Sequence, residues 1–591
     1  WSWSPAAATV AAVLGVLGAS LFQFIRLLRL NPGLLVASMN YRMTRLHPLW
    51  RCVSPARIRA IEYVLGAAFI ALLLNASRIL ALEDGGAHLV ALWGAALFYV
   101  ASIAWAVWEP EPSVRKPARR NTDTQRPNIL IIGSDTLRAD RLGALGYHRR
   151  LTPNLDALGR EGVLFSNCYV PCARTAPSLV SLFTGTWPHT HGIRDNFVHD
   201  EETRLKVDAL PQLLKADGYR TAAISDWCGA DLGKFSFGFD LTDLPEDQWN
   251  LKYLIRQGPK DLRLFISAFT HNRLGRQLLP ELYYLGGVPL TRDIGRRSRR
   301  LLSRLADSTD PFLLTVFYST THPPFASEWP WYERFAAPSY DGPSRFAMAK
   351  LSDPFEIIRR QGEPKEVFDL DQIIDLYDGC VAQFDDEVGR TLAHLSACGL
   401  AENTIVVVCS DHGMDFFEHD TWGQGNSAVG DYSAKIPLIL KVPDAACNGT
   451  ISELVRSIDL MPTLLELTHA RTTSRTDGVS LAPYLFDKST TLELDAYNET
   501  GIWLTTLPGM APDHLRYPDL LDLLEVPDKS SGTLAIKAEF SARITVAKDR
   551  MLRHGNWKLV YQPLETGAKL MLFDQLTDPG CKHDISSAHP E

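Results

Sequence analysis

Three uninterrupted apolar stretches near the N-terminus, residues 5–25, 60–82 and 87–108, constrain this chain more than any other feature. Each reaches the roughly 20 residues that a helix needs to cross the hydrocarbon core of a bilayer. Uniformly apolar helices placed ahead of any polar domain read as membrane spans rather than as buried core. The second and third lie too deep in the chain to be a cleaved leader. The second is the weakest of the three, since it carries Asn75 and Arg78. Arg78 stands near its end, where a guanidinium can snorkel to the interface. The chain is therefore expected to be a multi-pass cell-membrane protein with the lipid bilayer as a partner, residues 1–108 forming the transmembrane region.

Orientation follows from the flanking charges. The link between the first two stretches carries Arg26, Arg29, Arg42, Arg45, Arg51, Arg57 and Arg59, the next link is Glu83-Asp84-Gly85-Gly86, and Arg115, Lys116, Arg119 and Arg120 follow the third. The positive-inside rule places everything beyond residue 108 on the cytoplasmic side.

At 591 residues the chain exceeds what one core supports, so two or three folding units are expected. A net charge of −8 excludes nucleic acid as a partner, since that needs a basic face. Nine cysteines without a CxxC pair or a Cys/His zinc spacing indicate no disulfide framework.

Residues 109–127 are rich in proline and charge and read as a linker. Short apolar runs then recur at 128–135, 219–225, 312–319 and 404–410, the look of buried parallel strands. Between them Ile374, Tyr377, Val381, Phe384, Val388, Leu392 and Leu395 recur at helical spacing. The fold class is thus α/β: a mostly parallel central sheet with helices on both faces, a small C-terminal α+β subdomain, and the N-terminal transmembrane helices in front. The catalytic domain is expected over 128–497 and the C-terminal subdomain over 498–591. Residues 248–308 are basic and leucine-rich, with Arg296, Arg297, Arg299 and Arg300 close together, and are expected to form a solvated helix face.

Ligands of such sheets sit beyond the carboxyl ends of the strands. The polar residues follow that rule: Asp135 ends one run, His322 follows another, and Asp411-His412 ends a third. Acids, a histidine and a hydroxyl gathered there suggest a metal site that activates a nucleophile.

The order of these residues resembles that of sulfatases and their alkaline phosphatase-type relatives. NILIIGSDTL (128–137) is similar to the opening strand, with the first metal-binding acid at Asp135. TAPSLVSLFTG (175–185) resembles the nucleophile signature, C-x-P-S-R followed by an apolar run and T-G. WPHTHGIRDN (187–196), SDHG (410–413), KIPL (435–438), RSIDLMPTLLEL (456–467) and GNWKLVY (555–561) resemble the later landmarks in order. The resemblance implies a metal site of Asp135, Thr175, Asp411 and His412, with Asn196, His322 and Lys435 as further catalytic residues. It implies one divalent ion, and the histidine ligand favours Zn²⁺ or Mn²⁺ over Ca²⁺.

Departures from the pattern shape the expected chemistry. Sulfatases oxidise a Cys or Ser to formylglycine; Thr175 stands there, and a threonine would give a ketone. Cys172 cannot replace it, because Arg174 occupies the place where proline should follow. Leu179 replaces the signature arginine, Thr136 a second acid, and Ser225-Asp226-Trp227 a stretch in which a lysine is expected. A threonine nucleophile resembles the nucleotide phosphodiesterases and phosphoethanolamine transferases, whose phosphate-binding asparagine matches Asn196. In the transferases a histidine for a second metal stands where this chain has Gln424. His189, His191 and His419 match common family positions. The expected activity is a metal-dependent phosphoryl-ester hydrolase or transferase, phosphodiesterase-like, passing through a phosphothreonine at Thr175. A lipid-borne or envelope-glycan phosphodiester is the expected substrate. The rival readings are a sulfatase acting on a sulfate ester and a non-catalytic membrane sensor that keeps the fold. Membrane-bound relatives of this kind usually work outside the cell, against the arginine count.

Overall fold

The computed structural model describes residues 5–33, 54–82, 86–115, 126–257, 266, 270–279, 283, 289–348, 360–470, 475–487 and 489–589. Its centre is an eight-stranded sheet. In chain order the strands are β1 (Asn128–Ser134), β2 (Val163–Tyr169), β3 (Arg220–Ser225), β4 (Leu241–Asp243), β5 (Phe312–Tyr318), β6 (Thr404–Ser410), β7 (Lys435–Lys441) and β8 (Gly449–Arg456). In space they run β8-β2-β7-β6-β1-β5-β3-β4. Only β7 is antiparallel to its neighbours. The sheet is mixed but mostly parallel, as the apolar runs predict.

Alternation along the strands divides the core. Leu130, Ile132, Leu314, Val316, Val406 and Val408 face one cluster, and Ile129, Ile131, Leu313, Ile405 and Val407 face the other. The first cluster takes the long helix Leu370–Ala397, whose Tyr377, Val381, Phe384, Val388 and Leu395 are buried as its spacing predicts. The second takes helix Thr175–Thr184.

Register then positions the site. Ser134 at the end of β1 lies opposite Tyr318 of β5 and Ser410 of β6. The carboxyl ends of three parallel strands are flush, so the residues that follow them meet. A second, antiparallel sheet joins β9 (Ala496–Glu499), β10 (Arg550–His554), β11 (Trp557–Leu564) and β12 (Gly567–Asp574) in that order. Its first strand straddles the boundary expected at residue 497.

Three helices, α1 (Pro5–Leu30), α2 (Pro55–Leu82) and α3 (Gly86–Val107), are long and apolar enough to cross a membrane. Residues 83–85 of the acidic link, Arg42, Arg45, Arg51, Lys116, Arg119 and Arg120 lie outside the described residues. The end of α1 enters the catalytic core. Leu27 is buried there, the Trp329 amide donates to the Leu30 carbonyl at 2.8 Å, and a Cβ at Gly33 would stand 2.9 Å from that of Ala326.

Among the described residues the arginine cluster is only in part a solvated face: Arg300 is exposed, as expected, and the other three are not. In α4 (Thr291–Leu305), Arg296, Arg297 and Arg299 turn inward against acids, and among the three only Arg296 is half-buried rather than buried. Arg297 meets Asp243 at 3.1 Å and Asp293 at 3.6 Å, Arg299 is paired with Glu387 and with Glu111 at 2.9 Å, and Arg296 is paired with Glu109. Counting charges along the sequence shows the arginines and hides their partners, which come from three other segments. Residues 258–265, 267–269, 280–282 and 284–288 of this stretch lie outside the described residues.

Candidate active site

Thr175 is the first residue of its helix and is buried, not the surface hydroxyl that a helix start suggests. Its Oγ1 lies 3.4 Å from Asp135 Oδ2. The helix points the positive end of its dipole at this position, where an anion is favoured. Asp411 Oδ1 is held by the amides of Thr136 (3.2 Å) and His412 (2.8 Å). His412 donates its Nδ1 proton to the Gly413 carbonyl at 2.8 Å, which leaves the Nε2 lone pair facing inward. That Nε2 is 3.3 Å from Asp411 Oδ2 and 3.8 Å from Asp135 Oδ1.

Asp135 Oδ1, Asp411 Oδ2 and His412 Nε2 are all buried without a hydrogen-bond partner. Buried polar atoms are nearly always satisfied, so three orphans converging on one point fit a cation. Burial, the largest cause in each case, pushes the Asp411 carboxyl up to about 7 and pulls the His412 imidazole down to about 3. Burial, followed by the charge of Asp411, raises Asp135 well above the usual carboxylate range. Two carboxylates at this depth need a positive charge to stay ionised. Asp135, Asp411 and His412, with Thr175 beside them, would hold a divalent ion, which would supply that charge and acidify the threonine hydroxyl.

Asn196 belongs to the same cluster. Its Oδ1 accepts from the Ala176 amide at 3.0 Å, leaving the NH₂ group free to donate to a substrate oxygen. The C-terminal subdomain holds it there: Asp195 accepts from the amides of Asn196 (2.8 Å) and Ile502 (3.1 Å). His322 donates Nδ1–H to the Pro323 carbonyl at 2.7 Å, and its Nε2 is 2.7 Å from Gln424 Nε2, which donates to it. Burial pulls its imidazole down to about 3, so it is neutral. Gln424 thus stands against His322 where a further metal ligand would be needed.

Lys435 is engaged elsewhere. It opens β7 at the correct edge of the sheet, but its Nζ donates to Asn167 Oδ1 at 3.1 Å, and the charge of Asp431 lies close by. His191 is tied to Ser181 Oγ at 2.9 Å, His189 is exposed, and His419 packs against Gly430 and Tyr432. None of these three joins the cluster.

Sequence reasoning misses the turn after β3. Trp227 stacks edge-on against His322 at 4.7 Å, and Asp135, Cys228 and His322 offer donor atoms within 4.8 Å of one another. Asp231 is fully buried with both carboxylate oxygens unpartnered, and burial pushes it up to about 7. Lys234 donates to the Asn196 carbonyl at 3.1 Å. The available signal is that this turn follows a strand of the parallel set, whose carboxyl ends carry the ligands.

Metal uptake should be pH-dependent with a defined sign. The raised Asp411 carboxyl keeps a proton below about pH 7 that metal must displace, whereas His412 stays neutral down to about 3 and does not compete. The apparent Kd of metal-free protein for Zn²⁺ or Mn²⁺ should therefore weaken by about tenfold or more per pH unit below that point, the raised Asp135 carboxyl adding to the dependence. A Kd independent of pH between 5 and 7, measured by calorimetry, would contradict the carboxylate assignment.

Comparison with known proteins shows the family and the fold that carry these residues. Residues 127–470 match the Sulfatase family model. The chain is 26% identical to an ulvan-active sulfatase of Formosa agariphila over 62% of its own length and 66% of that protein. It is 29% identical to PehA, a multifunctional alkaline phosphatase superfamily protein of Trinickia caryophylli, over 61% of its length and 77% of that protein. The fold is shared with the phosphonate monoester hydrolase of Agrobacterium radiobacter, at a TM-score of 0.54 and 21% identity over 79% of this chain and 92% of that one. With the site carried on that fold and the family match spanning more than half its length, this chain belongs to the sulfatase family of the sulfatase/alkaline phosphatase superfamily.

Proposed function

We propose that the protein is a membrane-anchored phosphodiester hydrolase or phosphotransferase with Thr175 as its nucleophile. One observation carries the reading: an unmodified threonine heads the helix with its hydroxyl against Asp135, where formylglycine chemistry requires a cysteine or serine. The Thr175 oxygen attacks phosphorus, the ester bond to one alcohol breaks as a phosphothreonine forms, and the alcohol leaves with a proton. Water or a second alcohol then cleaves that intermediate and frees the threonine. The Asn196 amide donates to a non-bridging oxygen, where charge builds during transfer. His322, neutral and oriented by Pro323 and Gln424, gives the substrate oxygens no full positive charge. The names of two comparison proteins, a multifunctional alkaline phosphatase superfamily protein and a phosphonate monoester hydrolase, are compatible with phosphorus chemistry.

A sulfate-ester reading draws on the many sulfatases among the relatives. It needs a different electrophilic step, since threonine cannot supply the family's aldehyde.

We also place the catalytic domain outside the cell. The arginine count argues otherwise, but several of those arginines have partners within the protein. Arg29 pairs with Glu62 at 3.3 Å, Arg59 lies over the Trp329 ring at 4.9 Å, and Arg26 donates to the Val107 carbonyl at 3.2 Å. The external placement itself rests on the resemblance to membrane-bound relatives that work outside the cell, set against that count.

Three measurements test these readings. Thr175→Ala should lower turnover of an aryl phosphodiester on the order of a thousandfold or more without unfolding the protein, and wild-type enzyme quenched during turnover should carry phosphate on Thr175. Full activity in the alanine variant overturns the assignment. With Gln424 in place of a ligand, dialysed wild type should hold about one ion per chain and prefer diesters to monoesters, and Gln424→His should raise metal content and monoester turnover together. Two tightly held ions in wild type overturn this. For sidedness, the described cysteines are all buried. An exposed probe site, Ser530→Cys in a Cys52→Ser background, should therefore react with an impermeant thiol reagent in intact cells. Protection until lysis would place the domain in the cytoplasm.

A further inference from the structure

The three N-terminal helices do not close on one another. They border a cavity of about 800 Å³ that is open on one side, lined by Gly18, Phe22, Gly66, Phe69, Tyr99 and Trp108 among others. That volume lies within the roughly 300–1,000 Å³ of pockets that enclose a whole ligand. Apart from the Glu62 carboxyl and the Tyr99 hydroxyl the named walls are apolar. Both polar groups are occupied, Tyr99 by the Gly15 carbonyl at 2.7 Å and Glu62 by Arg29 at 3.3 Å. Gly66 leaves the space open: a Cβ built there meets nothing within 4 Å.

Next to this chamber, and sharing Val107 with it, lies a smaller cavity of about 130 Å³. It is polar, and sits where α1 and α3 meet the catalytic domain through Arg26, Glu109, Arg292, Arg296 and Glu328. The charges in it are not equally engaged. Arg292 is paired with Glu328 at 2.9 Å, and Arg296 with Glu109. Arg26, one turn from the end of α1, donates to the Val107 carbonyl at 3.2 Å and feels the charges of Glu109 and Glu328 across the cavity, but among the described residues those two carboxylates bond to Arg296 and Arg292 and not to it. A guanidinium has five donors in a fork that matches phosphate.

We infer that this pair of cavities is a binding site for one anionic glycerophospholipid, with an acyl chain in the apolar chamber and the headgroup phosphate on Arg26. Three observations select this occupant over a peptide or a small apolar molecule. The chamber lies among helices whose outer faces are rich in exposed Leu, Val, Phe and Trp, so hydrocarbon surrounds it. The charged cavity sits at the helix-end level, where headgroups lie. The incompletely used cation is at the junction of the two, as a molecule with a long tail and one anionic head requires. The site adjoins the catalytic domain, because the end of α1 packs on residues 326–332 of the segment that follows His322. The inference rests on the three helices spanning a bilayer and not on the chemistry at Thr175.

Native mass spectrometry of the full chain, released from nanodiscs containing phosphatidylglycerol and phosphatidylcholine in equal amounts, tests it. Wild type should retain one lipid per chain, with phosphatidylglycerol favoured about tenfold, the size of one charge-assisted contact. Gly66→Phe should fill the chamber and lose the retained lipid. Arg26→Gln should keep a lipid but lose the preference. Unfolding is excluded by unchanged metal content and Tm in both variants. No retained lipid in wild type, no headgroup preference in wild type, or equal retention by Gly66→Phe would each overturn the site and leave annular lipid as the explanation. The first two outcomes need no variant. Because the readout is mass and not turnover, the site can fail while the catalytic reading stands, and the reverse.

Discussion

The structure turns on two buried carboxylates, Asp135 and Asp411, brought together by strand register. β1 lies between β5 and β6 with Ser134 opposite Ser410, so the residue after each strand faces its counterpart. Both acids are essentially inaccessible to solvent. Like charges at that depth are strongly unfavourable unless protonated or neutralised. The surroundings nevertheless prepare Asp411 to be charged, since two amides donate to its Oδ1 while its Oδ2 is left unpartnered. An arrangement that stabilises half of a carboxylate and leaves the other half bare fits a cation ligand better than a protonated acid. The helix beginning at Thr175 adds its positive end to the same point. The electrostatics of the site are therefore built into the sheet and not imposed by loops.

Much of this is legible in the amino-acid sequence because each step leaves a local trace. A buried parallel strand reads as an apolar run, and the acid that ends it reads as a ligand. Asp135, Asp411 and His412 are found that way, Thr175 and Asn196 are implied only by the resemblance of their segments to family motifs, and the long helix with Tyr377 and Phe384 inward follows from its spacing. What is not legible depends on pairing between distant segments. Lys435 matches a family position and opens its strand at the active edge, yet its ammonium meets Asn167. Arg299 looks like part of a basic surface until Glu387 and Glu111 come to meet it. Cys228 and Asp231 carry no motif at all and join the site only because β3 lies beside β5. The link between Asp195 and Ile502 spans the two sheets and leaves no periodic signal.

The membrane helices and the catalytic domain are coupled at one seam. Leu27 of α1 belongs to the catalytic core, Gln23 donates to the His271 carbonyl at 2.8 Å, and Tyr332 reaches the Arg29 carbonyl at 3.3 Å. Gly33 permits this, since a side chain there would collide with Ala326 and the Phe346 carbonyl. A tether joined only through residues 109–127 would let the domain tumble above the bilayer. Packing α1 on the segment beyond His322 fixes the domain against the helix instead, so that if the three helices span a bilayer, as proposed, the distance from active site to bilayer would be set by folding. Such a fixed depth would suit the proposed ester with its other end in the membrane, because substrate and enzyme would share a surface.

Gln424 connects this architecture to the choice of ester. A phosphate monoester brings more negative charge than a diester, and the two-metal relatives answer it with a second ion. In this chain His322 has one nitrogen committed to Pro323 and the other to Gln424. Burial keeps its ring neutral, and His419, the nearest substitute by sequence, packs away from it against Tyr432. In the proposed mechanism the charge offered to the substrate would come from one ion and the helix end, with neutral donors such as the Asn196 amide beside them, while the Arg174 guanidinium is turned to Asn426 at 3.2 Å and the Ile502 carbonyl at 2.7 Å. That balance would match one negative charge better than two. The proposed diester preference rests on this count of charges around the nucleophile, and the identity of the esterified alcohols does not enter it.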